Sequence, residues 1–248
     1  MHRLNTGFRR NGVPFKIVIL CRTDLFERIP GSNKNKIRQD CSVELDWYQD
    51  PSEPGTSSLI QIATLRAGRS LSGNIDIFNK FFPTRIDEVD TKKSLLDMTR
   101  HTPRDFLRLL SHIQEFARGD KLSATEVKSG MREYSNKYFL PEIRDELNGY
   151  ADPDEISRIV SALGRLRKRD FRLTELIESS RTSAKPLSSE RILDIVEALF
   201  QCSALGNLHH RPSGTTFYTF KYRNRHSPFN ESENVILHRG LWKALNLF

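Results

Sequence analysis

Cysteine is scarce in this chain: Cys21, Cys41 and Cys202 are the three present in 248 residues. So few, so widely spaced, they suit no disulfide framework, and free thiols in a reducing compartment place the chain in the cytoplasm. Long apolar runs are missing too. No segment approaches the roughly 18 residues of a membrane span, and the basic N-terminus has no apolar signal core, so no membrane contact is expected. A complete phosphate loop is also absent. Gly7 and Gly12 have the G-x-x-x-x-G spacing, but Val13 and Pro14 stand where a lysine and a hydroxyl residue must sit. Without a cation on the terminal phosphates and a hydroxyl on magnesium, the mechanism of that loop is gone. Metal and hydrolase sets fail on spacing. Cys202, His209 and His210 lack the further ligands of a zinc site, and Asp40, Glu44 and Asp46 lack a lysine in the relation a carboxylate nuclease needs.

What is present suits a globular, mainly α protein with a short β part. Apolar residues make up 37% of the chain, enough for real cores, and 39 Lys plus Arg against 31 Asp plus Glu leave a net charge of +8. That surplus permits nucleic acid or acidic partners without demanding them. The clearest element lies within residues 94–117. Thr102 can cap a helix, Pro103 suits its first position, and Asp105 puts negative charge in the first turn. Phe106, Leu109, Leu110, Ile113, Phe116 and Ala117 form one apolar face, and Arg104, Arg108, Ser111 and Glu115 a polar stripe. Arg104 is therefore expected in the first turn, pointing away from the core. Such an arginine suits a phosphate, although spacing alone fits a solvated first-turn side chain better.

Before this helix, residues 1–15 read as a loose polar lead-in, and 16–21 (K-I-V-I-L-C) as a strand buried on both faces of a parallel sheet. Arg22, Thr23 and Asp24 follow it, where ligands gather in α/β sheets. An ordinary turn after the strand is the competing reading. Leu45 and Trp47 read as core residues ending a strand, and 50–58 as a loop. Residues 59–71 favour a helix, and 75–82 a short aromatic one. Beyond Gly119, Val127, Met131, Tyr134 and Tyr138 form a packing stripe, and Pro141 is expected to end or kink its helix. Helices at 153–167, 171–179 and 189–202 precede a hairpin over 208–222, the order of a winged helix. Tyr218, Phe220 and Tyr222 alternate on one strand face and should pack on those helices.

These segments carry a resemblance. The run 99–105 with its Thr-Pro-Arg-Asp and leucine-rich helix is similar to the sensor-two helix of AAA+ and STAND-type P-loop ATPases. R-T-D-L-F-E-R-I-P, N-K-N-K-I-R-Q-D and E-L-D-W resemble the segment after the sensor-one strand of a bacterial family of that kind, and L-F-Q-C-S-A-L-G-N-L, T-F-Y-T-F-K-Y-R-N-R and H-R-G-L-W-K-A-L its C-terminal module. The resemblance implies residues 1–58 as the last part of a P-loop core, 59–120 as a helical lid and 121–248 as a helical and winged-helix module. It implies nucleotide sensing by Arg22, Thr23, Asp24 and Arg104. It also implies a bacterial switch protein, with a role in defence against phage. ATP and Mg2+ would bind only if a P-loop-bearing N-terminal segment or partner chain supplied the missing loop, and the chain alone should not hydrolyse ATP. An open sheet edge at residue 16 would be an aggregation hazard unless such a partner covered it. A homo-oligomer is compatible with the same reading.

A different class of function stays open, a non-catalytic module binding nucleic acid or protein. Arg165, Arg167, Lys168, Arg169 and Arg172 form one basic cluster, and Arg211, Lys221, Arg223 and Arg225 decorate the expected wing. Glu190, Asp194 and Glu197 lie on the helix that would enter a groove, which argues against major-groove reading.

Overall fold

The computed structural model describes residues 2–21, 26, 29–31, 33–48, 53–71, 73, 75–210 and 214–247. They fall into two compact units, Met1–Asp46 and Trp47–Phe248.

In the first unit, helix α1 (His2–Arg10) replaces the expected loose lead-in, and α2 (Lys34–Cys41) follows later. Phe8 and Phe15 meet edge to face at 5.3 Å, and the Asn5 side chain bonds both Ile17 backbone groups. Residues 16–21 are not the expected buried strand. They lie outside any helix or strand, and Val18 and Leu20 are 70% and 90% exposed. A strand buried on both faces needs flanking strands and covering helices, and among the described residues of this unit no strand exists to pair with it. Leu45, expected in a core, is exposed as well.

The second unit is mainly helical with small antiparallel sheets. Helix α3 (Ser58–Ser70) is capped by the Ser57 hydroxyl and α4 (Ile77–Phe81) by the Asp76 carboxylate. Two short strands, β1 (Arg85–Ile86) and β2 (Val89–Asp90), pair around Asp87 and Glu88, both left-handed as such a tight turn requires. Helices α5 (Thr91–Asp97) and α6 (Pro103–Gln114) come next. The expected start of α6 is present: the Thr102 hydroxyl accepts from the Asp105 N–H at 3.1 Å. Phe106, Leu109 and Ile113 are wholly buried, each contributing about 1.5–3 kcal/mol. Helix α7 (Ala124–Tyr134) packs against α6 with Gly130 directly over the Ile113 backbone.

Pro141 does not end this helix. The chain passes from α7 through a π turn (Ser135–Phe139) into α8 (Leu140–Leu147), with the Leu140 N–H donating to the Ser135 carbonyl. The widened turn makes room for the ring and the missing N–H. Helix α9 (Pro153–Leu166) carries the expected apolar face and leads through β3 (Asp170–Phe171) to α10 (Leu173–Arg181) and α11 (Ser189–Gln201). Arg191 on α11 grips Glu155 in the first turn of α9 at 2.7 Å and holds that carboxyl down at about 2. Strands β4 (Leu205–His210) and β5 (Thr216–Phe220) form the expected hairpin. Strand β6 (Asn234–Leu237) then inserts between β3 and β4, giving the order β3-β6-β4-β5, and α12 (Arg239–Trp242) closes the unit. One apolar core runs from Leu59 to Leu247, so the helices before and after residue 120 share it.

Candidate functional site

Arg104 sits where its sequence places it, in the first turn of α6 with its side chain 68% exposed. It is not idle. Its Nη1 lies 3.0 Å from Glu142 Oε1, and its guanidinium stands 5.9 Å from the centre of the Tyr138 ring. A second bond runs from Nη2 to Glu142 Oε2 at 3.3 Å; with the arginine side chain exposed and that of Glu142 20% exposed, the pair is worth about 1 kcal/mol, and an incoming anion can displace it at modest cost.

Beneath Arg104 the turn is braced. Asp105 is 2% exposed, and instead of facing solvent it accepts from Arg100 Nε at 3.0 Å and from the Tyr138 hydroxyl at 2.9 Å. Arg100 also donates to Glu146 at 2.7 Å and to the Cys202 carbonyl, tying α6 to α8 and to the end of α11. Burial disfavours the charge on Arg100, but Asp105 and Glu146 more than offset it and hold the guanidinium firmly protonated. Burial and the Asp105 charge push the Tyr138 hydroxyl up. The sequence hides this brace, because a first-turn aspartate looks like a partner for the helix dipole. Glu146 is 46 residues from Arg100.

Beside the brace lies an aromatic cage. His101, in the left-handed region at φ 53°, stacks on Tyr222 at 5.2 Å and meets the edge of Tyr48 at 5.0 Å. His238 stacks on Phe139 at 4.9 Å. Burial, with the nearby Arg223 charge adding to it, drives His101 down to about 4, and His238 is driven down the same way. Arg223, expected on a wing surface, is inside this cage. Its guanidinium is 4.7 Å from the Tyr218 ring centre and 3.6 Å from Asp97. Cation–π attraction and a buried carboxylate hold it inward. Burial raises the Asp97 carboxyl in spite of Arg223 and Arg239. Lys221 is likewise drawn in, donating to the Ser227 carbonyl at 3.0 Å.

The other basic cluster stays on the surface. Arg167, Lys168, Arg169 and Arg172 line an open cleft of about 780 Å³ together with Thr174 and Asn234. Arg165 lies outside it, donating to the Ser179 carbonyl at 2.9 Å, and Arg225 is not in its wall. Arg22, Thr23, Asp24 and Arg211 fall outside the described residues. Among the described residues, no cluster of three or more His, Cys, Asp or Glu side chains is arranged for a metal ion, and no helix is long and apolar enough to cross a membrane.

Residues 57–140 match a family described as the FunZ-associated C-terminal helical domain. The match starts at the cap of α3 and ends one residue before Pro141, so it takes in Arg100, Arg104, Asp105 and Tyr138 but not the basic cleft. No curated protein and no solved structure matches the chain.

Proposed function

We propose that this chain supplies the sensor, lid and winged-helix portion of a P-loop ATPase and acts as a nucleotide-dependent switch. The observation that carries this reading is Arg104. It stands exposed at the positive end of a capped helix, on a turn made rigid by the buried Arg100–Asp105 pair, and its ion pair with Glu142 is replaceable. Those properties suit a terminal phosphate: the donor is preorganised and the pair it gives up is weak.

In this reading a P-loop-bearing segment or partner chain binds ATP and Mg2+, and supplies the chemistry of hydrolysis. Arg104 reaches the nucleotide from the lid. When Arg104 exchanges Glu142 for phosphate, the brace carries the displacement to α8 and α11, and so to the winged-helix module and an effector. By analogy with the resembled family, the switch would act in bacterial defence against phage.

The test is ATP turnover by the native assembly containing the P-loop. Arg104→Ala should lower turnover at least tenfold with unchanged folding, the cost of about 1.4 kcal/mol of lost transition-state contact. Unchanged turnover, or native capture that brings down no P-loop-bearing chain, would contradict the assignment.

A further inference from the structure

The cleft beside α9 is built for anions, and the ATPase reading does not use it. Helix α9 ends at Arg167, whose left-handed backbone (φ 51°, ψ 27°) turns the chain sharply. Lys168 and Arg169 follow at once, and Arg172 stands at the start of α10. Four cations thus reach one wall from a stretch of six residues. The stretch is anchored. The Arg169 carbonyl accepts from the Leu237 N–H at 2.8 Å, and its guanidinium lies 4.3 Å from the Trp242 ring centre. Against the four cations stand two carboxylates, Asp170 and Glu175, and Glu175 is already paired with Lys168.

We propose that this cleft docks the phosphodiester backbone of a nucleic-acid duplex without reading its sequence. Size excludes a single phosphate as the natural occupant: 780 Å³ of open cleft, with charges spread along it, suits a run of backbone phosphates. Lining chemistry excludes base stacking on the wall, because its one aromatic side chain, Phe171, is 2% exposed. Base reading by α11, the helix expected to enter a groove, is disfavoured too, since Glu190, Asp194 and Glu197 are all exposed on it and acidic groups repel the backbone they would have to pass. Thr174 and Asn234 add neutral donors that suit phosphate oxygens.

The experiment is fluorescence anisotropy of the full chain with a labelled duplex of about 20 base pairs, from about 50 to about 200 mM salt. Two unrelated duplex sequences should bind equally, a single strand of the same length more weakly, and the logarithmic salt slope should be about −2 to −4. In the double variant R167N/R172Q the slope should fall by about 2, and affinity at low salt at least about tenfold. Asparagine tolerates the left-handed backbone at 167, and the bond from the Arg172 N–H to Glu175 survives in glutamine, so folding should be kept. A thermal melt checks this, and R167N alone, with a slope change of about 1, serves if the double variant melts early. Arg165→Gln should change nothing. Absence of duplex binding at low salt, an unchanged slope in the variants, or tighter binding of inorganic triphosphate or an acidic peptide than of duplex would each overturn the proposal. ATP is left out throughout, so this result is independent of the Arg104 test.

Discussion

Arg100 and Asp105 form a buried ion pair, Nε to Oδ2 at 3.0 Å, with side chains 10% and 2% exposed. The pair is satisfied on both sides, Asp105 by the Tyr138 hydroxyl and Arg100 by Glu146. Truncating one partner therefore strands the other in a buried site. Arg100→Ala should cost about 3–5 kcal/mol in urea unfolding, whereas the volume-conserving double change R100M/D105L should recover much of that loss. A cost under about 1 kcal/mol for Arg100→Ala would mean that the brace does not exist in solution.

Gly130 marks the closest approach of two helices. A Cβ there would lie 2.4 Å from the Ile113 Cα and 2.8 Å from its nitrogen, both backbone atoms that no rotamer change can move. Gly130→Ala should destabilise by about 1–3 kcal/mol despite the better helix propensity of alanine. Gly164→Ala, where nothing stands within 4 Å, should stabilise by up to about 1 kcal/mol. Thermal melts of the two variants should shift in opposite directions.

Arg104 behaves differently from its buried neighbour. Its side chain is 68% exposed, so Arg104→Ala should cost about 1 kcal/mol of stability. A denaturant midpoint near that of the unchanged chain makes any functional defect of this variant attributable to the lost guanidinium rather than to unfolding.

Acid should loosen the aromatic cage. The fold keeps His101 neutral down to about pH 4 and depresses His238 likewise, while an unfolded histidine binds a proton below about pH 6.5. Stability complete above that value should therefore fall as pH drops towards 4, by about 1.4 kcal/mol per unit for His101, with His238 adding in the same direction. Asp97 acts oppositely. Its raised carboxyl favours the protonated folded form, adding stability as pH falls towards the ordinary carboxylate value and softening the decline. Urea titrations between about pH 7 and about pH 4.5 should show this slope, reduced in His101→Asn, whose side chain tolerates the left-handed backbone. A flat profile would show that the cage admits protons.

Local chemistry made much of the fold legible. Thr102, Pro103 and Asp105 mark the start of α6, Asp152 and Pro153 that of α9, and the stripe Val127, Met131, Tyr134 the packed face of α7, because caps and periodicity act within a turn or two. Non-local partners were not legible. Residues 16–21 have the composition of a buried strand, but burial is decided by neighbours, and the unit offers none among its described residues. Pro141 breaks an ideal α-helix yet fits after a π turn. Arg223 looked like wing surface from its charge alone. The overlooked signal was its setting, just beyond Tyr218, Phe220 and Tyr222, where an arginine finds more aromatic faces than phosphates. In the basic cluster, Arg167, Lys168, Arg169 and Arg172 came together as their spacing suggested, because six consecutive residues around one turn cannot be far apart.

The measurement that reaches the central claim most directly is hydrogen exchange of the native assembly, with its P-loop, in the presence and absence of a non-hydrolysable ATP analogue. Contact between Arg104 and the nucleotide predicts slowed exchange at the backbone amides of Arg104, Asp105 and Phe106 when the analogue is bound, lost in Arg104→Ala while analogue binding itself persists. An assembly that binds the analogue yet leaves these amides unchanged, or protects them equally without the arginine, would contradict it.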